Sequence, residues 1–398
     1  MQKRILFLGG SQFQVSPIIY ARQQGHYVIT CDYLPDNPGH RFAHEYYNIS
    51  TIDKEAVLQL AKNLNIDGIA AIASDASAPT AAYVANYLNL PGNPYEAACI
   101  LTRKDLFRNF LSANNFNVPL SASFSSLQEA QKYYNGLGGA VMVKPVDASG
   151  SKGVSKAEHA GRLPAAFDYA LSCSRANKVI IEEYIERKGY QIAGDGFVVD
   201  GRLVFRCFAQ EHFNNNTNPF LPVGESFPLQ LSEILQNKIH SEIDRLMSLL
   251  KMKCSGLNFD IMINEQEEIY LMEVAARSGG NFISKVIKYS TGIDLDKYAV
   301  DIALGLDCSS LTMYDSARFY SSYMLNAKKD GIYKGLVIDP SVRPNIVEQL
   351  FFVKEGMPVE SFKNASCAIG CVILTFSTAA EMLEKMESMD ERIQVIVG

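Results

Sequence analysis

The sequence predicts a chain of several domains, α/β at the N-terminus, α+β in the middle and β-rich at the C-terminus. Three observations carry that prediction. Strand, glycine turn, helix and strand alternate through residue 94, a polar-tipped hairpin with two opposed acids lies between Gly256 and Asn281, and short strands dominate from Arg318 onward. With 398 residues, 47% hydrophobic and 20% charged, the chain has an ordinary globular composition and length for roughly two to four cores.

In the first stretch, Ile5–Leu8 reads as a short buried strand, followed by Gly9-Gly10-Ser11, a helix to Gln24, and a second strand His26–Cys31 ending at Asp32. That order is what an open parallel α/β sheet gives. A dinucleotide site is not expected, because Gly9-Gly10-Ser11-Gln12-Phe13-Gln14 lacks the G-x-G-x-x-G spacing. A helix Lys54–Leu64, a strand Gly68–Ala73 and a helix Pro79–Leu88 continue the alternation. Ser74 and Asp75 then fall just past the C-terminal end of a strand, where such sheets place ligands, and are candidate substrate residues. A loop cap is their plainer role. Leu90-Pro91-Gly92-Asn93-Pro94 breaks the pattern and closes a domain over 1–94.

The middle of the chain holds the residues with chemistry. Thr102–Ala113 reads as a helix with Thr102 as N-cap, and Lys104 in its first turn is a cation where the helix dipole favours an anion. Val141–Pro145 is a strand carrying Lys144 into Asp147–Val154, where Ser149, Gly150, Ser151 and Gly153 offer backbone N–H groups and hydroxyls for a phosphate. The Walker A pattern does not fit there. Lys178–Ile181 runs as a strand into Glu182-Glu183-Tyr184-Ile185, an edge whose backbone amides can meet a flat polar ring. Gly194–Val204 reads as strand, Asp-Gly turn and strand.

The hairpin has apolar arms Leu257–Ile263 and Ile269–Val274. A loop centred on Gln266 and Glu267 sets Asp260 opposite Glu273, a destabilising pair unless a divalent cation completes it. Arg277 follows as a fixed fork for carboxylate or phosphate, then the Ser278-Gly279-Gly280-Asn281 turn, with Asn281 a candidate substrate residue. His212, in the polar run Gln210–Asn216, reads as a loop residue near the site and a further substrate candidate.

Taken in order, Lys104, the Val-Lys-Pro strand with its Ser-Gly-Ser-Lys-Gly loop, the Glu-Glu-Tyr-Ile segment, the Asp260 strand and Glu273…Arg277 resemble the ATP-grasp superfamily, over roughly residues 1–310. The pattern resembles that of carbamoyl-phosphate synthase-like, biotin carboxylase-like and L-amino acid ligase-like members. The resemblance implies an ATP-grasp domain over 95–310 with a small lid subdomain at about 120–188, preceded by a Rossmann-like pre-ATP-grasp domain and followed by a C-terminal β-rich domain over 311–398. It also implies ATP with Mg²⁺ (Mn²⁺ as an alternative), phosphates on Lys104, Lys144 and the Ser149–Gly153 loop, and adenine read by the Glu182–Ile185 backbone. Metal would fall to Asp260 and Glu273, and Arg277 would steady the transferring phosphoryl group or the carboxylate it attacks, with Lys144 as a second catalytic residue through its phosphate contact. Two departures stand out. The usual ribose-binding acid becomes Gln191, and the Asn that commonly completes a second metal site is Ala275, for which Asn258 or Asn281 are the replacements on hand.

The activity so implied is an ATP-dependent carboxylate–amine ligase working through an acyl phosphate. Bicarbonate or formate activation of the carbamoyl-phosphate synthase kind, or a non-catalytic nucleotide-binding regulatory module, are the alternatives. The net charge of −6 and the absence of Lys/Arg runs speak against a nucleic-acid partner. No apolar run reaches the roughly 18 residues of a membrane span, and Ile5–Leu8 is too short for a signal peptide, so a cytoplasmic protein is expected. Eight cysteines without a C-x-x-C pair read as reduced thiols; Cys367 and Cys371, the closest, have no zinc partners.

Further on, Glu233–Leu250 is expected as a helix burying Ile234, Leu235, Ile239, Ile243, Leu246 and Leu250, and Asp296–Leu304 as another. Strands Phe319–Leu325, Gly335–Ile338, Val347–Val353 and Ala368–Thr375 and a helix Thr378–Met389 make the C-terminal domain, expected to buttress the site and to offer a homodimer surface.

Overall fold

The computed structural model describes residues 2–214 and 218–398. In the N-terminal domain, β1 (Arg4–Leu8), β2 (Tyr27–Cys31), β3 (Glu45–Tyr47) and β4 (Gly68–Ala70) form a parallel sheet in the order β3-β2-β1-β4. Ile5, Leu6, Phe7 and Leu8 are wholly buried, as a central parallel strand with both faces covered requires. The helix Lys54–Leu64 starts where the Asp53 side chain accepts from the Ala56 N–H and stops at Asn65, which takes a left-handed φ of 47°. The fourth strand ends at Ala70, so Ala73 lies in the loop beyond it.

A second sheet, β5 (Ser121–Phe124), β6 (Val141–Pro145), β7 (Ser155–Ala157) and β8 (Val179–Glu183), is antiparallel in the order β5-β8-β6-β7. It has its own core of Val141, Val143, Leu163, Phe167, Val179 and Ile181, drawn partly from the helix Leu163–Cys173.

The remaining strands are β9 (Gln191–Val199), β10 (Arg202–Phe213), β11 (Pro222–Phe227), β12 (Ser255–Ile263), β13 (Ile269–Ala275), β14 (Phe319–Leu325), β15 (Gly331–Ile338), β16 (Ile346–Phe351), β17 (Pro358–Val359), β18 (Gly370–Phe376) and β19 (Ile393–Val397). Eight of them make one antiparallel sheet, β13-β12-β9-β10-β11-β14-β18-β16, and β17-β15-β19 make a small separate one. The pairing of β11 with β14 carries the large sheet across residues 311–317 without a break. Its two faces have different cores. One buries Phe208, Leu257, Phe259 and Ile261 with the helix Glu233–Leu249. The other joins Cys207, Ala209, Val223 and Phe227 to Ile5 and Phe7 of the first sheet and to Val286 and Val300.

Thr102 is not an N-cap: it ends an unforeseen helix, Tyr95–Thr102, its hydroxyl donating to the Ala98 carbonyl, and Arg103 precedes the helix Lys104–Ala113. Ile234 is 72% exposed and lies off the buried stripe of its helix. The run Gln210–Phe213 is not a loop but the end of β10, where Gln210, Glu211 and His212 pair with Ser226, Glu225 and Gly224 of β11. The backbone of these polar residues pairs with the neighbouring strand, while the buried Gln210 amide meets no partner among the described residues. Asn215 and Asn216 of that run lie outside the described residues.

Candidate active site

The hairpin register sets Asp260 opposite Glu273, with an irregularity just after Asp260. Alternation along the strands puts Asn258 on the same face. Burial, and then the Glu273 charge, push the Asp260 carboxyl up to about 7. Lys104 Nζ lies 3.2 Å from Glu273 Oε2 and donates to the Ala148 carbonyl at 2.9 Å, so one lysine ties the acid pair to the Ser/Gly loop. Burial opposes the lysine's charge, but Glu273 outweighs it and raises its pKa.

Arg277 is a bidentate partner of Asp75: Nε donates to Oδ1 at 2.7 Å and Nη2 to Oδ2 at 2.8 Å. Its Nη1 donates to Asn258 Oδ1 at 2.9 Å. Burial would raise the Asp75 carboxyl; the Arg277 guanidinium outweighs that and lowers it. The loop after the fourth N-terminal strand thus reaches the end of the hairpin, reinforced by the Ala73 N–H on the Ser278 carbonyl. Ser74 stands at the head of the short turn Asp75–Ser77, its carbonyl accepting from Ser77 Oγ.

Lys144 and Glu182 meet across the small sheet, Nζ to Oε2 at 2.6 Å. Arg108 Nε lies 2.8 Å from Glu182 Oε1, an ion pair without hydrogen-bond alignment, while its Nη1 donates to the Met272 carbonyl. Burial alone would raise the Glu182 carboxyl, but Arg108 and then Lys144 hold it down to about 2. The Glu182 backbone lies between β5 and β6 within the sheet, opposite Ser121 and Met142, which corrects its expected part in reading a ring. Glu183 pairs with Val141 at the strand's end, and Tyr184 and Ile185 follow outside any strand. Lys156 Nζ sits 4.0 Å over the Tyr184 ring.

In the loop between β6 and β7, Gly150, Ser151 and Gly153 have φ of 66°, 58° and 75°. A Cβ at Gly153 would stand 2.9 Å from Cys173 Cβ and 3.0 Å from Pro145 Cδ, so only glycine fits there. Ser149 is exposed, Ser151 Oγ donates to the Phe220 carbonyl at 2.7 Å, and the Gly150 carbonyl accepts from Ala365 N.

Gln191 does not stand alone: its Nε2 donates to Glu211 Oε2 at 2.7 Å. Asn258 has its amide committed to Asp195, the Gly194 carbonyl and Arg277, and so is no substitute metal ligand for Ala275. Asn281 has φ of 50° in the turn before the helix Ile283–Thr291. His212 is set apart from the other candidates. It alternates with Glu211 and so points to the opposite face, its Nε2 2.7 Å from Ser226 Oγ, its pKa lowered to about 4 by burial.

Among the buried ionisable residues not foreseen from the sequence, Arg108, Asp195, Glu211 and Glu225 lie on the strands and helix around the site. Asp195 accepts twice from the Gly279 N–H, at 3.0 and 2.9 Å, and once from Asn258 Nδ2 at 3.0 Å, fixing both the glycine turn and the amide that holds Arg277. Burial pushes it up to about 7. The available signal was an acid inside an apolar strand, as in Gly194-Asp195-Gly196-Phe197.

The acid pair also passes a test of fit for Mg²⁺. Among the described residues no group of three or more His, Cys, Asp or Glu could cage an ion. Two carboxylates are what Mg²⁺ takes when substrate phosphates complete its shell.

A family model described as an ATP-grasp domain matches residues 102–281. A formate-dependent phosphoribosylglycinamide formyltransferase of Rhodococcus jostii is 30% identical over 196 residues, 46% of each chain. The carbamoyl phosphate synthase large chain of Thermotoga neapolitana is 25% identical over 71% of this chain and 25% of its own length. The chain spans less than half the length of these curated relatives. An L-amino acid ligase from Bacillus licheniformis superposes over 100% of this chain and 99% of its own with a TM-score of 0.84 at 20% identity, a likeness of fold. The match assigns residues 102–281 to an ATP-grasp domain.

Proposed function

We propose that this chain is an ATP-dependent ligase joining a carboxylate to an amine. The observation that carries the reading is Lys104, which touches both Glu273 of the opposed acid pair and the Ala148 carbonyl at the mouth of the Ser/Gly loop. Lys104 and Lys144 supply cations for a triphosphate, and the loop Ser149–Gly153 supplies N–H groups and hydroxyls that close over it and exclude water. Asp260 and Glu273 would hold Mg²⁺, which when bound neutralises phosphoryl charge. Arg277, its fork held by Asp75 and Asn258, would lend a fixed positive charge to the transferring phosphoryl group.

A carboxylate oxygen bonds to the γ-phosphorus as the bond to the β-phosphate oxygen breaks and ADP leaves. The amine nitrogen then bonds to the carbonyl carbon as the carbon–oxygen bond to phosphate breaks. Such chemistry needs positioning and charge stabilisation and no side-chain nucleophile. ADP release with Mg²⁺ across pairs of carboxylates and amines tests the reading. ADP formed only when both are present supports it, and none with any pair refutes it. The formate-dependent relative favours one second reading, activation of formate or bicarbonate. ADP release with either of these and no other carboxylate would select it.

A further inference from the structure

We propose that Glu211 and Glu225 form the site that receives the amine substrate as its ammonium, with Ser322 Oγ as third acceptor. The inference rests on the ligase reading and gives the amine a place of its own.

The β10–β11 register sets Glu211 opposite Glu225, and the next strand sets Ser322 opposite Glu225. Facing side chains in such a ladder have Cβ atoms about 4.5–5.5 Å apart. Both glutamates are 4% exposed and Ser322 is 1% exposed. Glu211 has one oxygen held by Gln191 Nε2. Glu225 Oε2 and Ser322 Oγ have no hydrogen-bond partner, and neither glutamate makes an ion pair among the described residues. Two like acids buried face to face are costly when no cation meets them. The same fold neutralises Glu182, equally buried, with two cations. At Glu211 and Glu225 no such partner occurs among the described residues.

The two glutamates lie on the same face of the sheet as Asp260. Asp260 pairs with Ala193, Ala193 with Ala209, and Glu211 follows two residues later on the same side. Charges facing the pair are Asp260 and Asp195, with Arg187 and Arg277 acting from farther off than ion-pair range. Burial, and then those neighbouring acids, raise both carboxyls well above the usual range. An ammonium matches the set better than a metal does, because it brings three N–H donors to two carboxylates and a hydroxyl. No metal-binding group of three occurs among the described residues. A neutral diol would leave the like charges unrelieved. One ammonium proton passes to Glu225 Oε2, freeing the nitrogen lone pair. As the carbon–nitrogen bond forms and the carbon–oxygen bond to phosphate breaks, a second nitrogen proton leaves with the phosphate.

The test is calorimetric titration of the full chain with ethylamine, glycinamide, leucinamide and phenylalaninamide, and with ATP, in wild type, Glu225→Gln and Ser322→Ala. At least one amine should bind wild type and weaken tenfold or more in Glu225→Gln, and several-fold in Ser322→Ala, with ATP affinity unchanged within twofold. Glu225→Gln keeps the side chain's shape and removes an acid that faces Glu211, so its melting temperature should not fall. No amine bound by wild type, equal binding by Glu225→Gln, or a loss confined to ATP would each overturn the proposal. Amine binding without ADP release for any carboxylate sinks the ligase reading and leaves this site standing. ADP release with an amine KM unmoved by Glu225→Gln does the reverse.

Discussion

Glu273 is the residue on which most of the proposed site converges, because it faces Asp260 and meets Lys104. Glu273→Gln should cut ADP release by 100-fold or more, about 2.7 kcal/mol or more of transition-state stabilisation, with the melting temperature held or raised. Turnover near wild type would remove the metal assignment. Lys144→Ala should raise the KM for ATP roughly tenfold, about 1.4 kcal/mol; an unchanged KM would deny it a phosphate contact. Asp260 gives a pH signature. Its folded pKa, about 7, lies above the unfolded carboxylate value, so the native state holds the extra proton in between. Its contribution to stability is therefore present below the unfolded pKa of about 4 and lost as pH rises towards 7. The melting temperature of Asp260→Asn should pull ahead of wild type between pH 5 and 8; a constant difference would contradict burial and repulsion at Asp260. Much at this scale was legible: Asp260 opposite Glu273 follows from period-two alternation and a loop centre. His212 was not, because a run of polar residues looks like a loop unless the facing strand is known, and here Ser226 and Gly224 lie across from it.

At the scale of elements, the loop between β6 and β7 depends on Gly153, whose φ of 75° and tight fit against Cys173 and Pro145 exclude a side chain. Gly153→Ala should cost on the order of 1–2 kcal/mol of stability and raise the KM for ATP. A variant as stable as wild type, with the same KM, would show that the loop conformation is unimportant. The composition of this loop suggested a phosphate cradle, but its anchoring did not appear in the sequence. Ser151 reaches Phe220 and Gly150 reaches Ala365, contacts spanning many residues with no local signal. The helix Tyr95–Thr102 was missed for a related reason. Arg103, with extended backbone, divides what reads as one helical stretch, so the apparent N-cap proved to be a helix end.

The whole molecule is bound together more tightly than its expected domains suggest. The large sheet runs from β13 to β16 through the β11–β14 pairing, and one core joins Phe7, Phe227, Val300 and Leu374. Removing residues 311–398 would expose the β11 edge and that core, so the truncated chain should be insoluble or unfolded; a folded, soluble product would show that the C-terminal part is an independent addition. The alternation of the first domain and the order of the middle segments were readable because each repeats a local pattern. The continuity of the sheet was not, since pairing between distant strands leaves no trace in either one alone. The central claim, that two facing carboxylates are completed by a magnesium nucleotide, is tested most directly by titrating ATP into wild type and Glu273→Gln with Mg²⁺ and with EDTA. Mg²⁺ should tighten ATP binding tenfold or more in wild type and have no such effect in Glu273→Gln; an equal gain in both proteins, or none in wild type, would rule out the metal pair.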